Sequence, residues 1–317
     1  MATILSPDDM DWEAYERDTE FGVKVRPASH YRDAVRSAFA PRDDAIIMPT
    51  MGSTKLGEVL EFRPGEVTLW AGYNGHYKSM LTGQVATDLC TANQRTMVAS
   101  FEMLVQQTLA RQIKQAYGGQ HPTSAYIDRF MSWTDDKLWM LDHLGRITPG
   151  KLIAILRYFA DKLSGVQVII DSMMMVCASE ERLDEQKQFG TDIVRLAKET
   201  GMHLHVLAHC RKPGDANGED RPPTRYDVRG AAALVDQVDN VCMVWRNKPK
   251  ERKLKVDRND EHALAQGDLL VVVDKQRNFG WEGKVHLWLD KKSLRICNDR
   301  ASETIPFNLG DAHGSLC

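Results

Sequence analysis

The residues best suited to chemistry lie in one short run: Gly72, Tyr73, Asn74, Gly75, His76, Tyr77, Lys78 and Ser79. Their spacing approaches G-x-x-x-x-G-K-[ST], a loop that binds phosphate when a strand precedes it and a helix follows. That context is present. Val67–Ala71 is an apolar run predicted as a strand, and Ser79–Ala92 reads as a helix. Successive backbone N–H groups of Gly72, Asn74, Gly75, His76, Tyr77, Lys78, Ser79 and Met80, with the helix N-terminus, would cradle phosphates. Lys78 would neutralise phosphate oxygens and Ser79 would ligate Mg²⁺. The expected ligands are therefore ATP, or another nucleoside triphosphate, and Mg²⁺. The pattern departs once: Tyr77 stands where a glycine is usual. Either its side chain crowds the phosphates or the loop re-forms around Gly75.

Two carboxylates could complete such a site. Asp171 ends the apolar strand VQVII, where a carboxylate faces the crevice at the carboxyl end of a parallel sheet. It is placed to hold Mg²⁺. Glu102 ends the strand TMVASF and could polarise an attacking water as a base. It also reads as a simple helix cap. His203 and His205 share one face of a strand, and His209 stands at its end. With no carboxylate close in sequence, a three-histidine metal site is a weak reading. His209 alone fits a polar sensor of a terminal phosphate. Lys275 and Arg277 end the strand DLLVVVD and point to one side by the two-residue period. Such a pair suits a phosphate supplied by another subunit, or is a basic hairpin in solvent.

Two further stretches are basic. Arg211, Lys212, Arg221, Arg225 and Arg229 share theirs with four acids. RNKPKERKLKVDR, Arg246 to Arg258, has seven basic and two acidic residues and reads as a solvated hairpin tip. No aromatic interleaving supports base stacking in either, so phosphate contact is the expected mode.

These groups need a scaffold that gathers strand ends. Helices are expected over Met103–Tyr117, Pro149–Leu163 and Glu185–Thr200. Further strands are expected at Val166–Ile170, His203–Ala208, Val238–Trp245, Leu269–Val273, Lys284–Leu289 and Leu294–Cys297. Alternation of strands with helices implies a parallel sheet with right-handed crossovers. The closely spaced last strands suggest an antiparallel extension. Tyr31–Ala40 places Tyr31, Ala34, Val35, Ala38 and Phe39 on one helical face. A ten-residue helix is marginal alone and must pack on its own core or on a neighbouring subunit.

Composition narrows the class. Of 317 residues, 43% are hydrophobic and 27% charged, which excludes disordered, collagenous and coiled-coil chains. A net charge of −3 excludes a basic field over the whole protein, so nucleic acid would meet only local patches. None of the six cysteines forms a CxxC pair, which suits a reducing compartment. No apolar run reaches about 18 residues, so no membrane span is expected. The acidic start, MATILSPDDMDWEAYERD, lacks the apolar core of a leader. A cytoplasmic protein is expected.

In chain order, Lys78-Ser79, Glu102 in ASFEM, Asp171 in VIIDS, His209 in LAHCRKP and Lys275-x-Arg277 resemble the RecA-like motor of DnaB-type replicative helicases. The helicase half of phage and mitochondrial (Twinkle-like) primase-helicases is more similar still. There a D-[LV]-R-G-x-x-A-L segment follows the basic loop, here Asp227, Val228, Arg229, Gly230 and on to Leu234. The resemblance spans roughly Ile47 to Asn298 and implies an α/β fold. That fold is a RecA-like P-loop NTPase core: a mainly parallel sheet flanked by helices, with the antiparallel extension at the carboxyl end. It implies a 46–300 ATPase and helicase domain, a 1–45 arm whose linker helix grips the adjacent subunit, and a 301–317 tail. The implied activity is NTP-driven translocation on single-stranded DNA by a hexameric ring. Glu102 is implied as catalytic base, Lys78 and Ser79 as phosphate and Mg²⁺ ligands, and Asp171 as the Mg²⁺-organising acid. His209 is implied as the γ-phosphate sensor, and Lys275 and Arg277 as the pair donated in trans. Arg211, Lys212, Arg221, Arg225 and Arg229 fall in the DNA-facing loops. Residues 1–46 cannot hold a primase fold, so a separate primase and replisome proteins are the implied partners. One family glutamine falls at Asp236 instead, with Gln237 next. Two other readings remain: a recombinase or mediator ATPase that does not unwind, and a DNA-binding platform gated by nucleotide without hydrolysis.

Overall fold

The computed structural model describes residues 27–38, 48–176, 183–214, 218–229, 232–278 and 280–309. Nine strands among them form one sheet, and six of these are parallel. β1 (Val67–Gly72), β2 (Thr96–Ser100), β3 (Leu138–Met140), β4 (Gln167–Asp171), β5 (His203–His209) and β6 (Asn240–Arg246) run the same way. β7 (Leu269–Gln276), β8 (Gly283–Leu289) and β9 (Ile296–Cys297) continue the sheet antiparallel. The order is β3-β2-β4-β5-β1-β6-β7-β8-β9, with β1 in the middle. The sheet thus has the mainly parallel body and antiparallel extension that the sequence predicts.

Helices cover both faces, which explains the unbroken apolar strands. β1 shows the division. Val67, Leu69 and Ala71 face α5 (Pro149–Leu163) and α6 (Leu183–Thr200) through Phe159, Phe189 and Ile193. Trp70 faces α2 (Lys78–Thr91) through Leu81, Val85 and Leu89. Local chemistry starts the helices. Thr148 accepts the Lys151 N–H at 3.4 Å, and Pro149 opens α5 where its missing donor costs nothing. α3 (Val105–Tyr117) is bolted to α2 by two buried amides. Gln112 donates to the Gly83 carbonyl at 3.3 Å, and Gln115 to that of Met80 at 3.0 Å.

Several elements differ from the sequence reading. The amino-terminal helix is α1 (Arg32–Ala38), preceded by a 3-10 turn at Ala28–Tyr31; Phe39 and Ala40 lie outside the described residues. α4 (Ser124–Thr134) and β3 were not expected. β3 has three residues, too few for a period, and α4 buries only Phe130 and Thr134. The basic stretch from Arg246 is no hairpin tip. It forms α8 (Lys248–Val256), capped by Asn247 and followed by α9 (Glu261–Ala265), between β6 and β7. The remaining helix, α7 (Ala232–Gln237), precedes β6. No described helix is long and apolar enough to cross a membrane.

One buried acid bears on stability. In α2, the Asp88 carboxylate accepts the Ser53 N–H at 3.2 Å and its hydroxyl at 2.7 Å. Burial pushes its pKa up to about 7, against the opposing pull of the Ser53 bonds and Arg295. A raised folded-state pKa means the acid weakens the fold as pH climbs from the unfolded value, 3.8, through about 7. Asp88→Asn should therefore stabilise by about 1–3 kcal/mol at pH 8. The gain should shrink as pH falls toward 5. Thermal unfolding at both pH values checks this, and an equal gain at both would contradict it.

Candidate active site

The carboxyl ends of β1, β2, β4 and β5 gather the site. Register does the placing. Gly72 at the end of β1 is level with His209 of β5, and Ser100 at the end of β2 is level with Asp171 of β4. The phosphate-loop run leaves β1 at Gly72 and enters α2 at Lys78. Gly72 is required by packing, since a Cβ there would lie 2.3 Å from the Val244 carbonyl oxygen of β6. Asn74 and Gly75 form an exposed turn, and Gly75 has φ 74°. Tyr77 has φ 67° and ψ 13°, the left-handed conformation that glycine adopts freely. The backbone therefore keeps a glycine-like shape although the residue is tyrosine. Tyr77 accepts the Met80 and Leu81 N–H groups at 3.1 and 2.9 Å as α2 begins.

The Lys78 ammonium is buried at the centre of the site. It donates to the carbonyls of Gly72 at 3.0 Å and Tyr73 at 2.9 Å, and lies 3.3 Å from His209 Nδ1. Burial lowers its pKa, and the charges of Asp171 and Glu102 oppose that shift. Glu102 Oε1 accepts the Ser172 hydroxyl at 2.8 Å and stands 3.8 Å from His209 Nε2. Its pKa is lowered, first by the His209 interaction, so it is ionised at neutral pH. The Asp171 pKa is raised by burial, although Ser79 hydrogen-bonds to it and lowers it in part. Lys78, Ser79, Glu102, Asp171 and His209 thus converge. Ser79 and Asp171 make a pair of hard oxygen donors beside the cradle, which fits Mg²⁺. Arg111 of α3, not singled out by sequence, lines one cavity with both of them, and its charge interacts with Asp171. Only its place on the buried side of α3 could have signalled it.

The other histidines are structural. His203 bonds Thr68 at 2.9 Å and the Arg63 carbonyl at 2.8 Å; His205 accepts the Trp70 indole at 3.2 Å and contacts Gln167 at 3.2 Å. Burial lowers both pKa values, that of His203 to about 4, so both are neutral. Among the described residues no cluster of three or more histidine, cysteine or acidic side chains could hold a metal.

The back of the loop packs on α8 and its flanks. The Arg246 guanidinium lies 4.6 Å over the Tyr77 ring and binds Glu251 through two contacts of 2.7 Å. The Tyr77 hydroxyl donates to Glu251 at 3.4 Å. The tyrosine is thus turned into protein contacts rather than crowding the cradle. His76 is fully buried against Tyr73, Glu219 and the Arg246 N–H, and burial lowers its pKa to about 4. His76 and Tyr77 can therefore offer a ligand only their backbone.

The loop after β5 is more cationic than its composition suggests. Glu219 pairs with Lys248, Asp220 pairs with Arg252, and Asp227 accepts the Thr224 N–H and hydroxyl at 2.7 and 2.9 Å. Two of its four acids are thereby neutralised from outside the loop and Asp227 is tied to Thr224; the fourth, Asp215, lies outside the described residues. Arg211, Lys212 and Arg221 are exposed. Arg225 contacts Asp274 at 3.8 Å, and Arg229 lines a small pocket with His209. Tyr226 corrects the reading that this loop has no aromatic for stacking: it is 81% exposed, with Arg225 5.4 Å from its ring. The same pairing occupies four of the seven cations of the second basic stretch: Arg246 binds Glu251, Lys248 binds Glu219, Lys250 binds Asp268 at 2.7 Å and Arg252 binds Asp220.

Lys275 and Arg277 do not join the site. β7 is antiparallel to β6, so its carboxyl end is level with the amino ends of β6 and β1, at the opposite end of the strands from Lys78. Lys275 donates to the Val235 and Asp236 carbonyls at 2.9 Å each. Arg277 donates to the Asp236 carbonyl at 3.0 Å and lies 3.4 Å from Asp239.

Comparison with known proteins agrees with this architecture. Residues 59–215 match the family model described as an AAA domain. The ATPase domain of a phage helicase superposes with a TM-score of 0.71 at 17% identity, covering 87% of this chain and 99% of that one. A DnaB-like replicative helicase, solved for its interactions with primase, superposes with a TM-score of 0.66 at 17% identity. That match covers 86% of this chain and 67% of the other. The fold is that of replicative-helicase ATPase domains.

Tyr77 allows a sharp test. Tyr77→Gly loses the packing on Arg246 but relieves the left-handed backbone, whereas Tyr77→Ala loses the packing and keeps the strain. The alanine variant should be about 1 kcal/mol less stable than the glycine variant. Equal denaturant midpoints would contradict a left-handed residue 77.

Proposed function

We propose that this chain is an NTP-hydrolysing DNA helicase motor that works as a ring on single-stranded DNA. The observation carrying the reading is the convergence of Lys78, Ser79, Glu102, Asp171 and His209 at the phosphate loop. The phosphate-loop backbone and Lys78 hold the triphosphate. Ser79 and Asp171 hold Mg²⁺, which screens phosphate charge when bound. Glu102, ionised and steered by Ser172 and His209, orients a water for in-line attack on the γ-phosphorus. His209, between Lys78 and Glu102, senses the γ-phosphate. The turned-away Tyr77 side chain favours hydrolysis over a binding-only platform.

The remaining residues support a multi-subunit motor. Lys275 and Arg277 cannot reach their own centre, so they serve a neighbour's nucleotide. Val35 of α1 is 51% exposed and suits docking of the arm on an adjacent subunit. Arg211, Lys212, Arg221, Arg225 and Arg229 supply phosphate contacts, and Tyr226 supplies a stacking platform. A primase and other replisome proteins are the partners of this reading, in the cytoplasm.

Two experiments test this. Glu102→Gln should bind nucleotide like wild type but turn over about 10²–10⁴-fold more slowly. Wild-type turnover in that variant would remove Glu102 from the mechanism. Tyr226→Ala should weaken single-strand binding by about 1–3 kcal/mol with an unchanged salt slope, whereas Arg221→Ala should lower that slope by about one. Unaltered binding in both variants would move the strand off this loop.

A further inference from the structure

The turn at Gly218–Asp220 belongs to the basic loop yet lies against the back of the phosphate loop. The Glu219 carboxylate is shared between two elements. One Oε2 lies 3.4 Å from His76 Nε2 and also binds the Lys248 ammonium of α8. The Glu219 carbonyl accepts the Trp245 indole at 2.8 Å. His76 is fixed in turn, because its Nδ1 accepts the Arg246 N–H at 3.1 Å, leaving Nε2–H as the donor toward Glu219. Beside it, Asp220 pairs with Arg252. The 218–220 turn of a segment offered to single-stranded DNA thus touches the back of the nucleotide cradle at a buried imidazole, apart from the junction at the base of the loop, where Cys210 N–H donates to the Gly72 carbonyl at 3.0 Å.

We infer that Glu219 is a positioning residue that couples nucleotide binding at the phosphate loop to DNA binding at the 211–229 loop. The inference rests on the helicase reading above. Its physical basis is a choice of partners. Phosphates held at the Gly75–Lys78 backbone and the Glu219 carboxylate are anions on two sides of His76, and they repel. The carboxylate relieves that repulsion by moving wholly to Lys248, which shifts the 218–220 turn toward α8. DNA drawing on the loop's arginines displaces the same turn from the other side. Each ligand therefore biases an arrangement the other feels, and linkage makes the effect reciprocal.

The test measures affinity for a fluorescent non-hydrolysable ATP analogue with and without saturating oligo(dT), in the full chain with Mg²⁺. Wild type should show a coupling factor of about 5–150-fold. Glu219→Ala should bring the factor close to one and raise nucleotide affinity without DNA, because the repulsion is lost. Glu219→Gln, which keeps an acceptor for His76 but not the charge, should lose the coupling as Glu219→Ala does. Trp245→Phe, which frees the turn but keeps an aromatic ring in the core, should lower the factor as well. A wild-type factor in Glu219→Ala or Trp245→Phe would overturn the inference. So would a factor of one in wild-type protein that binds both ligands. Wild-type protein that binds nucleotide but no oligo(dT) would instead defeat the helicase reading itself.

Discussion

The Lys78 ammonium is a cation buried at the meeting point of four parallel strand ends, and a buried cation must be surrounded by acceptors and counter-charge. Two carbonyls of its own loop, His209 and the nearby carboxylates of Asp171 and Glu102 meet that need. The demand explains the register of the sheet. β5 must end level with β1 to bring His209 to the lysine, and β4 level with β2 to bring Asp171 beside Ser79. It also explains the glycine at 72, since a side chain there would push β6 away and open the floor of the loop. The chemistry proposed for the site follows from the same grouping: the charges that stabilise Lys78 are those that would handle phosphate, metal and water.

A second constraint acts from behind. A tyrosine in a left-handed conformation costs about 1 kcal/mol or more relative to glycine, and something must offset it. The helical insert between β6 and β7 does so. Arg246 stacks on the Tyr77 ring and is itself held by Glu251, while His76 is sealed between Glu219 and the Arg246 backbone. The departure from the usual loop pattern and the basic insert are therefore one feature. The same ion pairs that build the insert neutralise acids of the 211–229 loop, so that loop becomes more cationic and the insert less so.

Much of this was legible in the sequence, for a physical reason. Lys78, Ser79, Asp171, Glu102 and His209 each sit at the boundary of an apolar run, and such boundaries become strand ends at the crevice of a parallel sheet. α5 was legible to the residue because Thr148 and Pro149 start it chemically. What escaped depended on contacts distant in sequence. The insert looked like a hairpin tip because its charges find partners at Glu219, Asp220 and Asp268. Tyr226 went unnoticed because its exposure is set by the turn that Thr224 and Asp227 lock. Arg111 carries no motif and gains meaning only when α3 lays it beside Asp171. The short strand β3 and the helix α4 bury too little to leave a period.

The most direct measurement of the central claim is inorganic phosphate release from ATP and Mg²⁺ by the wild-type chain, titrated with single-stranded DNA, beside Lys78→Ala. The account predicts release that rises strongly with DNA and is abolished by the substitution. Release that ignores DNA, or that survives loss of the Lys78 cation, would contradict it.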